Sequence, residues 1–288
     1  MELLAQLAHG VKPFAREALR ACAWFVLLAA IFVPLEKCFS VHRQKIFRKS
    51  FAVDLAYYFI NSLLPNVIAA APMAVIATAL HHTVPGRVLA WSAALPGPAR
   101  LLAGLAAGEF GFYWGHRWMH EVPFLWRFHA VHHSAEEMDW LVSSRAHPFD
   151  IVFGRLAGLV PMYALGLAQA ANGRISGAVP VVFMLLGTMW GFFIHSNLRV
   201  RWEWLAPVVS TPAFHHWHHT NDEHVDRNYA SILPVFDRLF GTWYLPKNEW
   251  PPCYGTNTPV SPRLDAQIIN PLLPDPNKVP APEIQSVS

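Results

Sequence analysis

The chain has 288 residues, of which 53% are hydrophobic and only 14% charged, a balance outside the usual soluble range. Its net charge of +3 includes no stretch in which Lys or Arg alternates with aromatics, which argues against a nucleic-acid partner. Cys22, Cys38 and Cys253 are odd in number and lie far apart, without a Cys-x-x-Cys spacing; this excludes a disulfide framework and a zinc ribbon and fits a reducing compartment.

Soluble enzymes can also be apolar, so the distribution of apolar residues decides, and here they fall in runs long enough to cross about 30 Å of hydrocarbon. Ala21 to Leu35 is the first run, flanked by Lys12, Arg16 and Arg20 before it and Glu36 and Lys37 after it. No small-x-small cleavage site follows, so a retained anchor is expected instead of a signal peptide. The second run, Ala52 to Leu80, carries Asp54, Pro65 and Pro72 and is long enough to span. Leu101 to Trp114 is short and holds Glu109; with Val88 to Leu95 it reads as a broken or re-entrant element. Ile151 to Ala171 and Ala178 to Ile194, separated by Asn172-Gly173-Arg174, read as a helical hairpin. After Trp250 come Pro251, Pro252, Pro259, Pro262, Pro271, Pro274, Pro276, Pro280 and Pro282 without hydrophobic periodicity, the pattern of a tail with no core of its own.

The expected fold is therefore all-α, a polytopic membrane bundle. The expected hairpin returns the chain to its starting side, so the histidine-rich segments before and after it share one compartment. The basic loop Lys37, Arg43, Lys45, Arg48, Lys49 lies two crossings upstream, and the positive-inside rule places loop and histidines in the cytoplasm. Lys12, Arg16 and Arg20 then fall outside, which leaves an interfacial first run as the alternative.

Eleven of the sixteen histidines lie between His116 and His219. In GHRWMHE, His116 and His120 are one helical turn apart and project from one face. In FHAVHHS, His129 is followed by His132 and His133, and FHHWHHT repeats the spacing with His215, His218 and His219. Each group is expected to present two or three nitrogens to one point. One such pair is weak evidence; three in order point to metal, because converging imidazoles repel when protonated unless something holds them neutral. A zinc protease motif fails, since His120-Glu121 is followed by Val122-Pro123-Phe124. Eight ligands suit two ions, and iron, copper and zinc all remain open on spacing alone.

A metal-dependent membrane hydrolase would need a short carboxylate-containing zinc motif or a nucleophile elbow, and neither occurs. A non-enzymatic metal-binding or carrier protein would place its histidines along the spans instead of at their ends.

The boxes His-x-x-x-His, His-x-x-His-His and His-x-x-His-His occur in order. They are accompanied by Tyr113-Trp114, Arg145-x-His147-Pro148, His195-Ser196-Asn197, Thr211-Pro212, Asn228-Tyr229 and the run Phe236 to Thr242. On these residues the chain resembles the fatty acid hydroxylase and sterol desaturase superfamily, from about Leu101 to Tyr244. The resemblance implies an integral membrane oxidoreductase in which two Fe ions activate dioxygen and hydroxylate or desaturate a lipid C–H bond, the lipid being sterol-like, fatty acyl or ether-linked. It implies residues 1–100 as membrane helices and loops, 101–246 as the catalytic domain with a di-metal cap, and 247–288 as the tail.

By the same resemblance the metal ligands are His116, His120, His129, His132, His133, His215, His218 and His219, with His195 the next candidate and His147 after it. Glu109, Glu121 and Asn197 are candidates for orienting imidazoles. His216 is out of register and reads as a flanking residue, while His9, His42, His81, His82 and His224 have no partner at useful spacing. The segment HRWMHEVPFLWRFHAVHHS is also similar to the alkylglycerol monooxygenase branch, which uses a reduced pterin. Sterol-directed members draw on cytochrome b5 or a reductase. With no haem or flavin domain in the sequence, a separate electron donor is expected.

Overall fold

The structure, a computed structural model, describes residues 2–168 and 178–273. The Asn172-Gly173-Arg174 turn and the prolines from Pro274 onward lie outside the described residues, as does the His81 side chain. The described chain forms α1 (Glu2–Phe39), α2 (Phe51–Thr83), α3 (Gly86–Ala94), α4 (Gly97–Glu121), α5 (Pro123–His133), α6 (Pro148–Ala164), α7 (Ala178–His195), α8 (Pro212–His218), α9 (Val235–Phe240) and α10 (Leu264–Ile269). Among the described residues there is no strand, only two isolated bridges, Ser40 with Leu198 and Thr220 with Tyr254.

Among the described residues three helices are long and apolar enough to cross a membrane: α1 over Phe14–Phe39, α2 over Phe51–Leu80 and α7 over Ala178–His195. Their outward faces are apolar, with Val26, Val67, Val75 and Val181 each more than 60% exposed. Apolar surface on that scale is unstable in water and calls for lipid. The inward stripe of α1, Ala21, Leu28 and Phe32, packs with Tyr58 of α2, Trp140 and Phe192 of α7.

A second core joins α4, α6 and α7 through Ala107, Leu159, Met162, Val179 and Phe183. The helices approach closely because α4 carries glycine at 104, 108, 111 and 115, a stripe of small residues on one face. A Cβ at Gly111 would fall on the carbonyl oxygen of Ala157, and one at Gly108 would strike Met162 and Phe183.

Two expectations need correction. α6 packs chiefly on α4 and α2, and α7 on the Trp140–Ser144 turn, α8 and α4, so α6 and α7 are not a closely packed hairpin. α6, at 17 residues, is also not among the three helices long enough to span. The segment after Trp250 is bound to the body as far as Leu273: the Tyr254 hydroxyl meets His216 Nδ1 at 2.8 Å, Trp126 Nε1 donates to Thr258 at 2.9 Å, and the Ile268 carbonyl lies 3.0 Å from His147 Nε2. Proline composition removes helical periodicity without preventing such polar anchoring.

Candidate metal centre

The histidine-bearing elements are short helices with firm starts. α5 follows the break at Val122-Pro123, and Pro123 sits in its first turn, where a missing N–H costs nothing. α8 begins at Thr211, whose hydroxyl accepts the Phe214 N–H at 3.2 Å, with Pro212 next. Together with the ends of α4 and α7 they bring nine imidazoles into two adjacent groups. His116, His120, His129, His133 and His218 form one, and His132, His195, His215 and His219 the other, the ligand-capable atoms of each lying within 4.8 Å of one another.

This division corrects the expectation that each box serves one point. Residues four apart stay together: His116 with His120, His129 with His133, His215 with His219. The remaining histidine of each five-residue box crosses over, so His132 joins the group of His215 and His219 while His218 joins that of His129 and His133. Neighbouring residues on a helix diverge by about 100°, and each box therefore supplies both groups.

The protonation pattern is fixed from outside. His116 Nδ1 lies 2.6 Å from the Tyr229 carbonyl, His132 Nδ1 2.8 Å from that of Arg145, His195 Nδ1 2.7 Å from that of Gly191 and His218 Nδ1 2.8 Å from that of Arg227. Carbonyl oxygens only accept, so these Nδ1 atoms carry the protons. His129 Nδ1 faces the buried Asp150 carboxylate at 3.0 Å, and His120 Nδ1 faces Asp226 at 3.0 Å. In a neutral ring so arranged, Nε2 bears a bare lone pair.

Those lone pairs point at each other. The Nε2 atoms of His116 and His129 are 3.0 Å apart, and those of His132 and His195 3.1 Å apart. Two acceptors cannot hydrogen-bond, and burial opposes a proton between them. Burial, reinforced by neighbouring imidazoles, pushes His116 down to about 3 and His132 down to about 4. The same causes hold His120, His133, His215, His218 and His219 well below the usual imidazole range.

A cation resolves the conflict. Two nitrogens each about 2.1 Å from one metal ion are about 3.0 Å apart when they subtend a right angle. The spacings of 3.0 to 3.2 Å among His195, His215 and His219 fit as well. The all-imidazole donor set therefore suits two transition-metal ions side by side.

The remaining candidates fall outside both groups. His147 caps α6: its Nδ1 accepts the Phe149 N–H at 3.0 Å and its Nε2 faces the Ile268 carbonyl. Neither nitrogen is left to bind metal. His216 is wholly buried between Tyr254 and the Ser196 carbonyl. Glu121 pairs with Arg117 at 2.7 Å, Glu109 accepts the N–H groups of Ile232 and Leu233, and the Asn197 side chain binds the backbone of Val41 and His42. None of these three touches an imidazole. His224 has a neighbour after all, Asp222 at 3.2 Å; with Glu223 they make a partly exposed surface group.

The residues that do orient imidazoles are Asp150, Asp226 and four backbone carbonyls. Asp150 was legible only as the residue three after His147; Asp226 carried no pattern. A buried carboxylate, Asp237, accepts the N–H groups of Tyr229 and Ala230 at 2.7 and 2.9 Å and the Thr242 hydroxyl at 2.7 Å. It thereby positions the Tyr229 carbonyl for His116. On the other flank, Asp54 holds Arg145 at 2.5 Å and Arg48 at 2.6 Å, and Arg48 also pairs with Asp139. This buried network fixes the loop whose Arg145 carbonyl serves His132.

A cavity of about 580 Å³ opens onto His116, His129, His132, His195 and His215. It extends between α1, α6 and α7, past Phe112, Met184, Met189 and Phe192, with Arg155, Arg20 and Glu17 also on its wall.

Comparison with known proteins agrees with this geometry. The family model described as fatty acid hydroxylase matches residues 101–242, a segment containing all nine histidines. Ornithine lipid hydroxylase OlsE of Rhizobium tropici is 30% identical over 258 residues, which cover 85% of this chain and 72% of that protein. Alkylglycerol monooxygenase of Danio rerio is 33% identical over 53% of this chain but only 32% of its own length. The very-long-chain aldehyde decarbonylase GL1-8 of Oryza sativa subsp. japonica is 31% identical over 46% of this chain and 48% of its own. No solved structure matches. With a relative named as a lipid hydroxylase aligned at 30% identity over most of both chains and the family's segment coinciding with the histidine groups, the chain belongs to the fatty acid hydroxylase family.

Proposed function

We propose that the chain is a membrane-embedded di-iron enzyme that uses dioxygen to hydroxylate or desaturate a C–H bond in a lipid. The observation that carries the reading is the two close pairs of Nε2 atoms, His116 with His129 at 3.0 Å and His132 with His195 at 3.1 Å, in a buried site. In this reading His116, His120, His129, His133 and His218 hold one iron, and His132, His195, His215 and His219 the other. When bound, the irons supply activation of dioxygen and removal of hydrogen from an unactivated C–H bond.

The chain's own residues do the rest. Nine neutral imidazoles neutralise none of the metal charge, and Asp150 offsets part of it through His129 while fixing that ring's direction. Phe112, Met189 and Phe192 line the approach with apolar surface, which accepts a lipid chain and keeps water from the reacting carbon. The catalytic segment is 101–246, preceded by membrane helices and followed by the tail. The histidine groups face the cytoplasm with the basic loop Lys37 to Lys49. Electrons come from a separate donor, a cytochrome b5-type protein or reductase, or a reduced pterin.

The test is mass analysis of lipids extracted from cells supplied with isotopically labelled dioxygen and expressing the wild type, His132→Ala, His218→Ala or His224→Ala. One lipid species should gain an oxygen atom or lose two hydrogens with the wild type and His224→Ala, and stay unchanged with the other two. Conversion retained by His132→Ala and His218→Ala at equal expression would remove the metal groups from the chemistry.

A further inference from the structure

A second cavity, of about 540 Å³, lies at the other side of α1 and shares no residue with the one below the imidazoles. It sits where the spanning part of α1 ends at Phe39 and that of α2 begins at Phe51, under the connecting loop. Its walls are of two kinds. Phe25, Ala29 and Val33, on successive turns of α1, give an apolar trench about 12 Å long at the helical rise. Lys37, Arg43 and Lys45 give a cationic edge.

The acids nearby are already engaged. Glu36 accepts the N–H groups of Trp140 and Asn197 at 2.8 and 2.9 Å, and Asp139 is paired with Arg48 at 2.6 Å. Lys37, Arg43 and Lys45 are exposed and make no ion pair or side-chain hydrogen bond among the described residues. Three uncompensated cations at the mouth of an apolar trench, level with a membrane surface, complement one kind of molecule.

We propose that this cavity binds an anionic phospholipid, its phosphate against Lys37, Arg43 and Lys45 and an acyl chain along Phe25, Ala29 and Val33. A soluble anion would use only the edge and leave the trench in water; a neutral lipid would use only the trench. The occupant ties α1 to the loop that carries Arg48, and through Arg48 to Asp139, without entering the imidazole site.

The full chain, purified in detergent, is offered equal amounts of phosphatidylglycerol and phosphatidylcholine of the same acyl length, and bound lipid is counted by native mass spectrometry. Phosphatidylglycerol should be retained preferentially, with retention falling about five-fold for each cation removed in the series Lys37→Gln, Arg43→Gln, Lys45→Gln. Ala29→Trp, which fills the trench and leaves the cations in place, should abolish retention while leaving the elution profile and metal content unchanged. Equal retention of both lipids, selectivity surviving the triple Gln variant, or binding unaffected by Ala29→Trp would each sink the proposal. Displacement of the lipid by millimolar inorganic phosphate alone would do the same, since it would reduce the site to a surface anion contact.

Discussion

Asp150 is the residue whose replacement separates a metal-orienting role from a merely structural one. It is buried, and its two carboxylate oxygens lie 3.0 and 3.2 Å from His129 Nδ1. Burial alone would raise its pKa, but His129, His132 and His116 outweigh that and hold it below the usual carboxylate range. It is therefore a carboxylate that accepts from Nδ1 of His129 and turns the ring so that Nε2 faces His116.

Asp150→Asn preserves volume and can turn its amide N–H toward His129, forcing that ring to accept at Nδ1 and carry its proton on Nε2, where metal should bind. Loss of such an orienting partner typically weakens metal affinity 10- to 100-fold, about 1.4 to 2.7 kcal/mol. The loss should be much the larger in the five-histidine group, because Asp150 hydrogen-bonds His129 there, whereas in the other group it acts only on His132, through space and without a hydrogen bond. Anaerobic titration of metal-free protein with ferrous iron, read by equilibrium dialysis, should show two sites of similar affinity in the wild type and one weakened site in Asp150→Asn. If the variant binds two irons with wild-type affinity, the argument from tautomers is wrong. If both sites weaken equally, Asp150 supports the fold and not His129.

The lowered imidazole values predict how metal-free protein responds to acid. His116 and His132 stay neutral when folded down to about 3 and about 4, whereas in the unfolded chain an imidazole takes up a proton near 6.5. The unfolded state thus binds more protons below pH 6.5, so stability is full above that value and falls as pH drops. By pH 5 the loss is about 2 kcal/mol for each of the two residues. Thermal unfolding of metal-free protein in detergent should show a midpoint that falls between pH 7.5 and 5; a flat profile would contradict buried neutral rings. Gly111→Val should destabilise the α4–α6 contact by about 1 to 3 kcal/mol, whereas Gly86→Ala, with open space around it, should not; equal midpoints for the two variants would refute the close approach.

What the sequence shows and what it hides divide along physical lines. Helix existence was legible because apolar runs are long, and α1, α2 and α7 stand where those runs are. Pairing of helices was not, because apolar runs are alike on all faces; the glycine stripe of α4, which chooses α6 and α7 as neighbours, is a pattern of missing side chains. The histidine boxes were legible as a set, and His195 was reached through the resemblance that includes His195-Ser196-Asn197. Their partition between two groups needed helix direction, since His132 and His133 diverge although adjacent. The orienting oxygens were hidden, because backbone carbonyls have no sequence signature and Asp150 and Asp226 come from segments remote in the chain from the rings they face. The tail misled for the opposite reason: proline hides anchoring that runs through single contacts such as Tyr254 with His216.

The central claim is that two irons sit side by side among nine histidines, and the most direct measurement is metal analysis of the full chain purified without air, paired with lipid turnover of the same sample. The account predicts close to two irons per chain, in keeping with the two histidine groups, with turnover lost on chelation and restored by ferrous iron. Protein that holds zinc alone and still oxidises its lipid would contradict it.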